Sequence, residues 1–418
     1  MGLKNRIKHI MPLWLWNWMK NHENIYYERR MQKKCRKVDK FQPPKYPQGV
    51  NLIGDIRAET GLGQSMRMVA GLLELGKVPF MVLQMDAPDN LAHQEKDWDN
   101  KILPENKYGV NLIHINNSVW SKNYSRIPIG ELSGRYNIAY WLWELEEFPD
   151  QWVSCIDTVD EIWTPAEFIS RGIRKKTNKP VLTMPYGMEL DTDNLLDRKY
   201  FNLPEEKFLF LVMYDFLSIS ERKNPMGAIQ AYKKAISKEN SRAGLVIKVN
   251  HLQDKQELDK LKEELAGYPN IYFIMDNLSR REVESLVAAA DVLVSLHRAE
   301  GFGLPLAEAM YLGTAVVATN WSATTEFMDE ESACLVDFKL IDLKEDIGPY
   351  QKGNRWADAD ICQAADYMRR LSTDRDYFDK KVALGRQHIR KALDKKEMAG
   401  KMADRISAIY YDECLGMK

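Results

Sequence analysis

Short apolar runs alternate with longer stretches of helical periodicity from Val50 to Asp337, and this alternation limits the chain to few folds. One set of strands is expected over residues 50–54, 79–84, 110–116, 137–143, 161–165 and 181–186. A polar stretch from Met188 to Glu206 follows. A second set is expected over 208–215, 244–250, 271–277, 292–297, 315–320 and 334–337. Several of these runs are apolar without a break, as strands covered on both faces are. Helical patterns separate most of them, for example over 65–75, 225–237, 280–290 and 306–312. Strand–helix alternation implies parallel sheets joined by right-handed crossovers. The expected class is α/β, with two doubly wound Rossmann-like domains facing each other across a cleft. The length of 418 residues suits two such domains. The spacing predicts a first domain over 46–190, a second over 191–357 and a helical, charged tail over 358–418.

Residues 1–45 stand apart from this pattern. Residues 1–40 hold 11 Lys and Arg against 3 Asp and Glu, although the whole chain has a net charge of -1. Trp14, Trp16 and Trp18 lie beside Met11, Leu13 and Leu15. Ile7, Ile10, Met11, Trp14 and Trp18 follow helical spacing. Lys4, Arg6, Lys8 and the later cluster Arg29, Arg30, Lys33, Lys34, Arg36 and Lys37 supply the charge. Tryptophan at headgroup level with Lys and Arg near anionic lipid describes an interfacial anchor. The alternative is an amphipathic helix docked on its own domain. The apolar run is too short to span a bilayer, and Pro12 and Asn17 interrupt it. The expected site of action is cytoplasmic, on the inner face of the plasma membrane.

The balanced charge excludes a generally basic nucleic-acid binder, so no nucleic-acid partner is expected. The five cysteines are scattered and form no C-x-x-C, which fits neither a disulfide framework nor a zinc site. Asp97-x-Asp99, Asp191-x-Asp193 and Asp358-x-Asp360 lie away from strand ends and are read as solvated acidic turns, so no metal is expected.

The most informative segment is Glu300-Gly-Phe-Gly-Leu-Pro-Leu-Ala-Glu308. It leaves a strand near Leu296, passes through a glycine turn and enters a helix near Leu304 and Pro305. Proline suits a first helical turn. Gly301 and Gly303 let the backbone approach a ligand, and the helix start offers amides and a positive dipole end to a phosphate. Glu300 and Glu308 are placed to reach different hydroxyls of one ligand. Ala309-Met310-x-x-Gly313-x-x-Val316-Val317-Ala318-Thr319-Asn320 and Glu326 continue the pattern. Together these residues resemble the signature of retaining glycosyltransferases of family 4, which have the GT-B fold.

The resemblance implies that Glu300 lies at the donor sugar and that Glu308 binds the nucleotide ribose. It also implies that the amides around Phe302, Gly303 and Leu304 meet the sugar and diphosphate. The family pairs a strand-end arginine with a lysine about five residues later. Lys223 matches the lysine, but Asp215 stands near the arginine position, which leaves Arg222 and Arg298 as replacements. Gly61 and Gly63 form a loop that, by the same resemblance, approaches donor phosphate and acceptor. The longer G-x-G-x-x-G is absent because residue 66 is Met, which disfavours a nicotinamide dehydrogenase. His114 ends a strand and is expected to point into the cleft as a catalytic candidate, and His297 sits next to the Glu300 motif at another strand end. Trp141, Trp143, Glu144 and Glu146 suit sugar rings and equally a buried core edge, with Glu144 preferred on the acceptor side. Glu326 is expected to order the donor loop.

The implied reaction moves a hexose from a GDP- or UDP-sugar to a hydroxyl of a lipid-linked glycan, without cofactor, in capsule, O-antigen or exopolysaccharide assembly. Mannose on GDP is the leaning, and UDP-sugars stay open. Lys223, Arg222 and the helix start near Leu304 would stabilise the departing diphosphate. A nucleotide-sugar epimerase and a catalytically silent sugar-nucleotide or membrane scaffold are the alternatives.

Overall fold

The computed structural model describes residues 13–43, 45–85, 95–216, 218–250 and 255–415. The sequence reading of Lys4, Arg6, Ile7, Lys8, Ile10, Met11 and Pro12 falls outside them, as do the side chains of Trp14, Trp16 and Trp18. The chain forms two compact units. The first gathers the described residues of Met1–Leu142, Glu147–Gly187 and Lys395–Lys418, and the second those of Trp143–Glu146 and Met188–Asp394.

The first unit holds six parallel strands: β1 Val50–Gly54, β2 Phe80–Gln84, β3 Val110–Ile113, β4 Tyr136–Tyr140, β5 Glu161–Thr164 and β6 Val181–Thr183. Their order is β2-β1-β3-β4-β5-β6. Register is fixed by more than apolar packing. Asn51, Asn111 and Asn137 stand side by side on β1, β3 and β4 and are buried. Asn51 Nδ2 donates to Asn111 Oδ1 at 2.8 Å, and Asn111 Nδ2 to Asn137 Oδ1 at 2.8 Å. A slip of one residue would leave these buried amides unpaired, which disfavours every other register.

The second unit repeats the plan with β7 Phe208–Asp215, β8 Ala243–Asn250, β9 Ile271–Ile274, β10 Val292–Ser295, β11 Ala315–Thr319 and β12 Cys334–Val336. All are parallel, in the order β12-β11-β10-β7-β8-β9. One face of this sheet packs Phe210, Ile247 and Val294 against Tyr232, Leu261 and Met368 of the covering helices. The order is that of the dinucleotide-binding folds, with its reversal between β7 and β10. β7 pairs with β8 along all eight residues, but with β10 only at Phe210 and Leu211. Beyond that point β7 and β10 part, which opens a gap at their carboxyl ends.

Two expectations need correction. Gly61 and Gly63 do not lie in a loop: the helix runs Gly61–Leu75, and Thr60 Oγ1 caps it by accepting from Gly63 N at 3.1 Å. The stretch before the tail also contains an antiparallel hairpin, β13 Phe338–Asp342 with β14 Arg355–Ala359, where no strand was expected. The tail ends in the helix Lys395–Leu415, which packs on Gly61–Leu75 within the first unit.

Candidate active site

A small pocket fills the gap between the parted ends of β7 and β10. Met213, Tyr214, Ser295, Lys223, Glu300 and Pro305 are among its lining residues. Three local structures bring the charged groups there. Lys223 and Arg222 sit on a single helical turn, Ser220–Lys223, after β7 rather than in a loop. That turn ends at Asn224, whose left-handed backbone (φ 52°) lets its side chain cap the next helix, Pro225–Ala235. Glu300 follows β10. Its amide donates to Ser322 Oγ at 2.9 Å, which ties the Glu300 turn to the segment after β11.

Lys223 Nζ forms an ion pair with Glu300 Oε1. Arg222 Nη1 lies 3.4 Å from Glu300 Oε2 and donates to the Ala299 carbonyl at 2.8 Å. Burial alone would raise the Glu300 carboxyl, but Lys223 and Arg222 outweigh it and hold the group at about 2. Burial would in turn lower Arg222, and Glu300 followed by Glu144 overcomes this and raises it. The result is a buried, fully ionised carboxylate gripped by two cations. The Nε of Arg222 is buried without a hydrogen-bond partner, so this guanidinium keeps a donor in reserve.

Gly303 lies at the opening of the helix Leu304–Leu312, beside this cluster. Its φ is +87°, and a Cβ there would come 2.4 Å from Thr324 Cγ2, so only glycine fits. No side chain caps the helix start, and Pro305 occupies its first turn. The helix therefore presents backbone amides and a positive end to the pocket. Phe302 is buried against Phe327, with ring centroids 5.4 Å apart, so its side chain is a packing anchor. Glu308 is buried on the same helix and pairs with Arg280, which also holds Glu284 at 2.8 Å. Burial raises the Glu308 carboxyl, and Arg280 opposes that shift.

The other expected residues are distributed as follows. Glu144 packs with the second unit, where it is hydrogen-bonded to Tyr350 and acts on Arg222. Trp143 meets Tyr350 with tilted rings, centroids 5.4 Å apart, whereas Trp141 is core of the first unit, edge-on to Trp120 at 5.1 Å. Glu146 pairs with Arg355. Arg298 turns away from Glu300: it donates to the Glu221 carbonyl at 2.9 Å and lies 3.4 Å from Asp358. Arg222, not Arg298, is thus the arginine beside Glu300. Glu326 is exposed on the 3-10 turn Ser322–Glu326. His297 is enclosed between Ser295 Oγ at 3.1 Å and the Trp321 carbonyl at 3.3 Å, and burial lowers it to about 4.

In the first unit, Gly61, Gly63 and His114 follow β1 and β3, on either side of that sheet's own reversal of strand order. A Cβ on Gly63 would come 2.1 Å from the Ala58 carbonyl. The His114 ring is enclosed rather than open to a cleft. Its Nε2 meets Ser65 Oγ at 2.8 Å, its face stacks on Tyr140, and burial lowers it to about 3.

Two residues escaped the sequence reading. Arg280 gave no signal, because its contact with Glu308 is tertiary. Lys248 reads as a polar interruption in an apolar strand, yet it is fully buried. It donates to the Asp276 carbonyl at 2.8 Å and to Asn250 Oδ1, and burial lowers it to about 8 against the pull of Asp215. Lys248 thereby ties the turn after β9 to the ends of β7 and β8. The acidic pairs have local roles: Asp99 binds Arg57, Asp191 caps Asp193 and Asn194, and Asp360 caps the helix Ile361–Thr373. Among the described residues no group of three or more His, Cys, Asp or Glu is placed to hold a metal.

Residues 195–347 match the family model described as glycosyl transferases group 1, a little over a third of the chain. Solved structures share the architecture. HepE of Anabaena, in complex with UDP and glucose, is 11% identical, with 87% of this chain and 100% of that one covered and a TM-score of 0.60. A glycosyltransferase from Rickettsia africae is 12% identical over 87% and 99%, with a TM-score of 0.62. Sucrose-phosphate synthase of Thermosynechococcus elongatus is 14% identical over 88% and 100%, with a TM-score of 0.62. These likenesses establish the GT-B fold. The family match covers the segment that carries Lys223 and Glu300. No curated protein matches the sequence.

Proposed function

We propose that the protein is a retaining, metal-independent family 4 enzyme that transfers a hexose from a nucleotide diphosphate sugar to a hydroxyl of a lipid-linked glycan. Surface-polysaccharide assembly at the inner face of the plasma membrane is its setting. The observation that carries this reading is the Glu300 carboxylate held by Lys223 and Arg222 beside the open start of the helix Leu304–Leu312. Breaking the anomeric C–O bond puts positive charge on the sugar and negative charge on the diphosphate. An arriving diphosphate competes with Glu300 for Lys223 and for the spare Nε donor of Arg222, and the helix start adds its dipole. Glu300, ionised and released in part from its cations, accepts hydrogen bonds from the donor sugar. Glu308 does the same for the ribose once Arg280 shares it. Among the described residues lining the pocket Glu300 is the one carboxylate, so the leaving phosphate, rather than a covalent nucleophile's cycle, takes the acceptor proton on the face from which the sugar departs.

Structural neighbours solved with UDP make UDP-sugars the first donors to try, beside GDP-mannose. The test is calorimetric titration with UDP-, GDP- and dTDP-sugars, followed by product analysis by NMR. The reading predicts donor consumption that requires acceptor and a product with the donor's anomeric configuration. Equal consumption without acceptor would mean an epimerase, and absence of any nucleotide binding would mean a scaffold.

A further inference from the structure

The helix Leu13–Cys35 has two unlike faces. One is docked on the first unit. Met31 is fully buried, Lys34 Nζ donates to the carbonyls of Tyr124 at 2.9 Å and of Ile127, and Gln32 Nε2 donates to the Ser154 carbonyl at 3.0 Å. Glu23 pairs with Lys122. The opposite face presents Tyr26, Arg29, Arg30 and Lys33, and the turn that follows the helix adds Arg36 and Lys37, all exposed. Their spacing of three and four residues places them along one stripe. Among the described residues none of the five cations in this stripe forms an ion pair with a carboxylate. Docking on the domain and display of a basic surface are therefore not alternatives: one helix does both.

The direction of the helix gives the stripe a place in the fold. Its carboxyl end leads to Asp39, whose carbonyl accepts from Gly134 N just before β4, at the amino edge of the sheet. Its amino-terminal half, past Glu23, lies toward Lys122 and the exposed Val119, on the segment that leaves the carboxyl end of β3. Met19, also exposed, continues the outward face in that direction. Exposed apolar and basic side chains thus run together toward the edge where parallel α/β sheets bind ligands.

We infer that this outward face rests on an anionic lipid bilayer and lays the carboxyl edge of the first sheet against it. Charge complementarity selects that partner. Residues 1–40 carry a net +8 while the remainder of the chain carries a net -9, so an anionic surface attracts this segment and repels the rest, which fixes orientation. Tyr26 and Met19 add groups that partition to the headgroup region. Among the described residues no helix is long and apolar enough to cross a membrane, so contact is along the surface. The inference deepens the proposed reaction by supplying a bilayer from which a lipid-linked acceptor is drawn, and it rests on that reading only for the acceptor.

The test is flotation of the full-length protein with phosphatidylcholine vesicles, with and without phosphatidylserine. A variant combining Arg29→Glu, Arg30→Glu, Lys33→Glu, Arg36→Glu and Lys37→Glu is run in parallel. Binding only to the anionic vesicles is expected, reduced about tenfold or more in the variant and weakened by salt. Nucleotide affinity, measured on the same preparations, is expected to match wild type, which shows the variant is folded. Equal binding to neutral vesicles, equal binding by the variant, or preference for RNA over anionic vesicles overturns the inference. Loss of nucleotide binding by the wild type would sink the proposed reaction and leave the vesicle result standing.

Discussion

Glu300 spends its charge on two cations, and this makes its removal informative. In Glu300→Gln the isosteric amide cannot neutralise Lys223 and Arg222, which are then left free for phosphate. Nucleoside diphosphate should bind at least as tightly as to wild type, while kcat for transfer falls about a hundredfold or more. Calorimetry and an acceptor-dependent rate assay read the two effects separately. Loss of both together would point to a structural carboxylate. Titration of the buried groups also has a fixed sign. Glu300, at about 2, lies below the ordinary carboxylate, so the stability it contributes is complete above about 4.5 and is lost as pH falls toward 2. His297 at about 4 and His114 at about 3 lie below the ordinary imidazole, and their contributions are lost as pH falls from about 6.5. Thermal stability should therefore decline on acidification from about pH 6.5. His114→Gln should flatten that decline, because on the order of a few kcal/mol of it comes from keeping this ring neutral. An unchanged slope in a pH series of melting curves would contradict the assignment.

The asparagine ladder and the glycine turn show what local chemistry does at the level of elements. Asn111→Ala would leave the buried Asn137 Oδ1 without its donor and take one of two acceptors from Asn51 Nδ2, at a cost of about 2 kcal/mol. Gly303→Ala would force a left-handed residue against Thr324, at roughly 1–3 kcal/mol, and would shift the helix start that faces the pocket. Denaturant melts of both variants check these values, with nucleotide affinity impaired in the second only. Strands were legible because each is a short apolar run between turn residues, and β1 and β7 match their expected limits. Several others end early: β3 stops at Ile113, since after the His114 amide bonds the Ile53 carbonyl at 2.7 Å the chain leaves the ladder. Gly61 and Gly63 read as a loop because glycine usually breaks helices, whereas here Thr60 caps the first turn and close packing on Ala58 requires Gly63. The β13–β14 hairpin was hidden by its exposed, charged residues, which lack an apolar run. Glu300 and Glu308 drew notice through the glycine turn, strand and helix around them, and Lys223 through the family resemblance. Arg280 and Lys248 did not, since each acts through a partner distant in sequence.

The molecule as a whole repeats one construction: two parallel sheets, each with its strand order reversing beside a cluster of polar groups. In the second sheet Lys223 and Arg222 stand at the reversal, and there β7 and β10 part to leave room. The first encloses Ser65, His114 and Tyr186 in mutual hydrogen bonds and carries the basic helix on its flank. The proposed reaction accordingly puts the donor's diphosphate in the second unit. Calorimetric titration of UDP and GDP into wild type and Lys223→Ala tests this most directly. At least one of the two nucleotides should bind wild type, and that binding should weaken tenfold or more in the variant with the fold intact. Undiminished affinity in Lys223→Ala would place the diphosphate elsewhere and contradict the account.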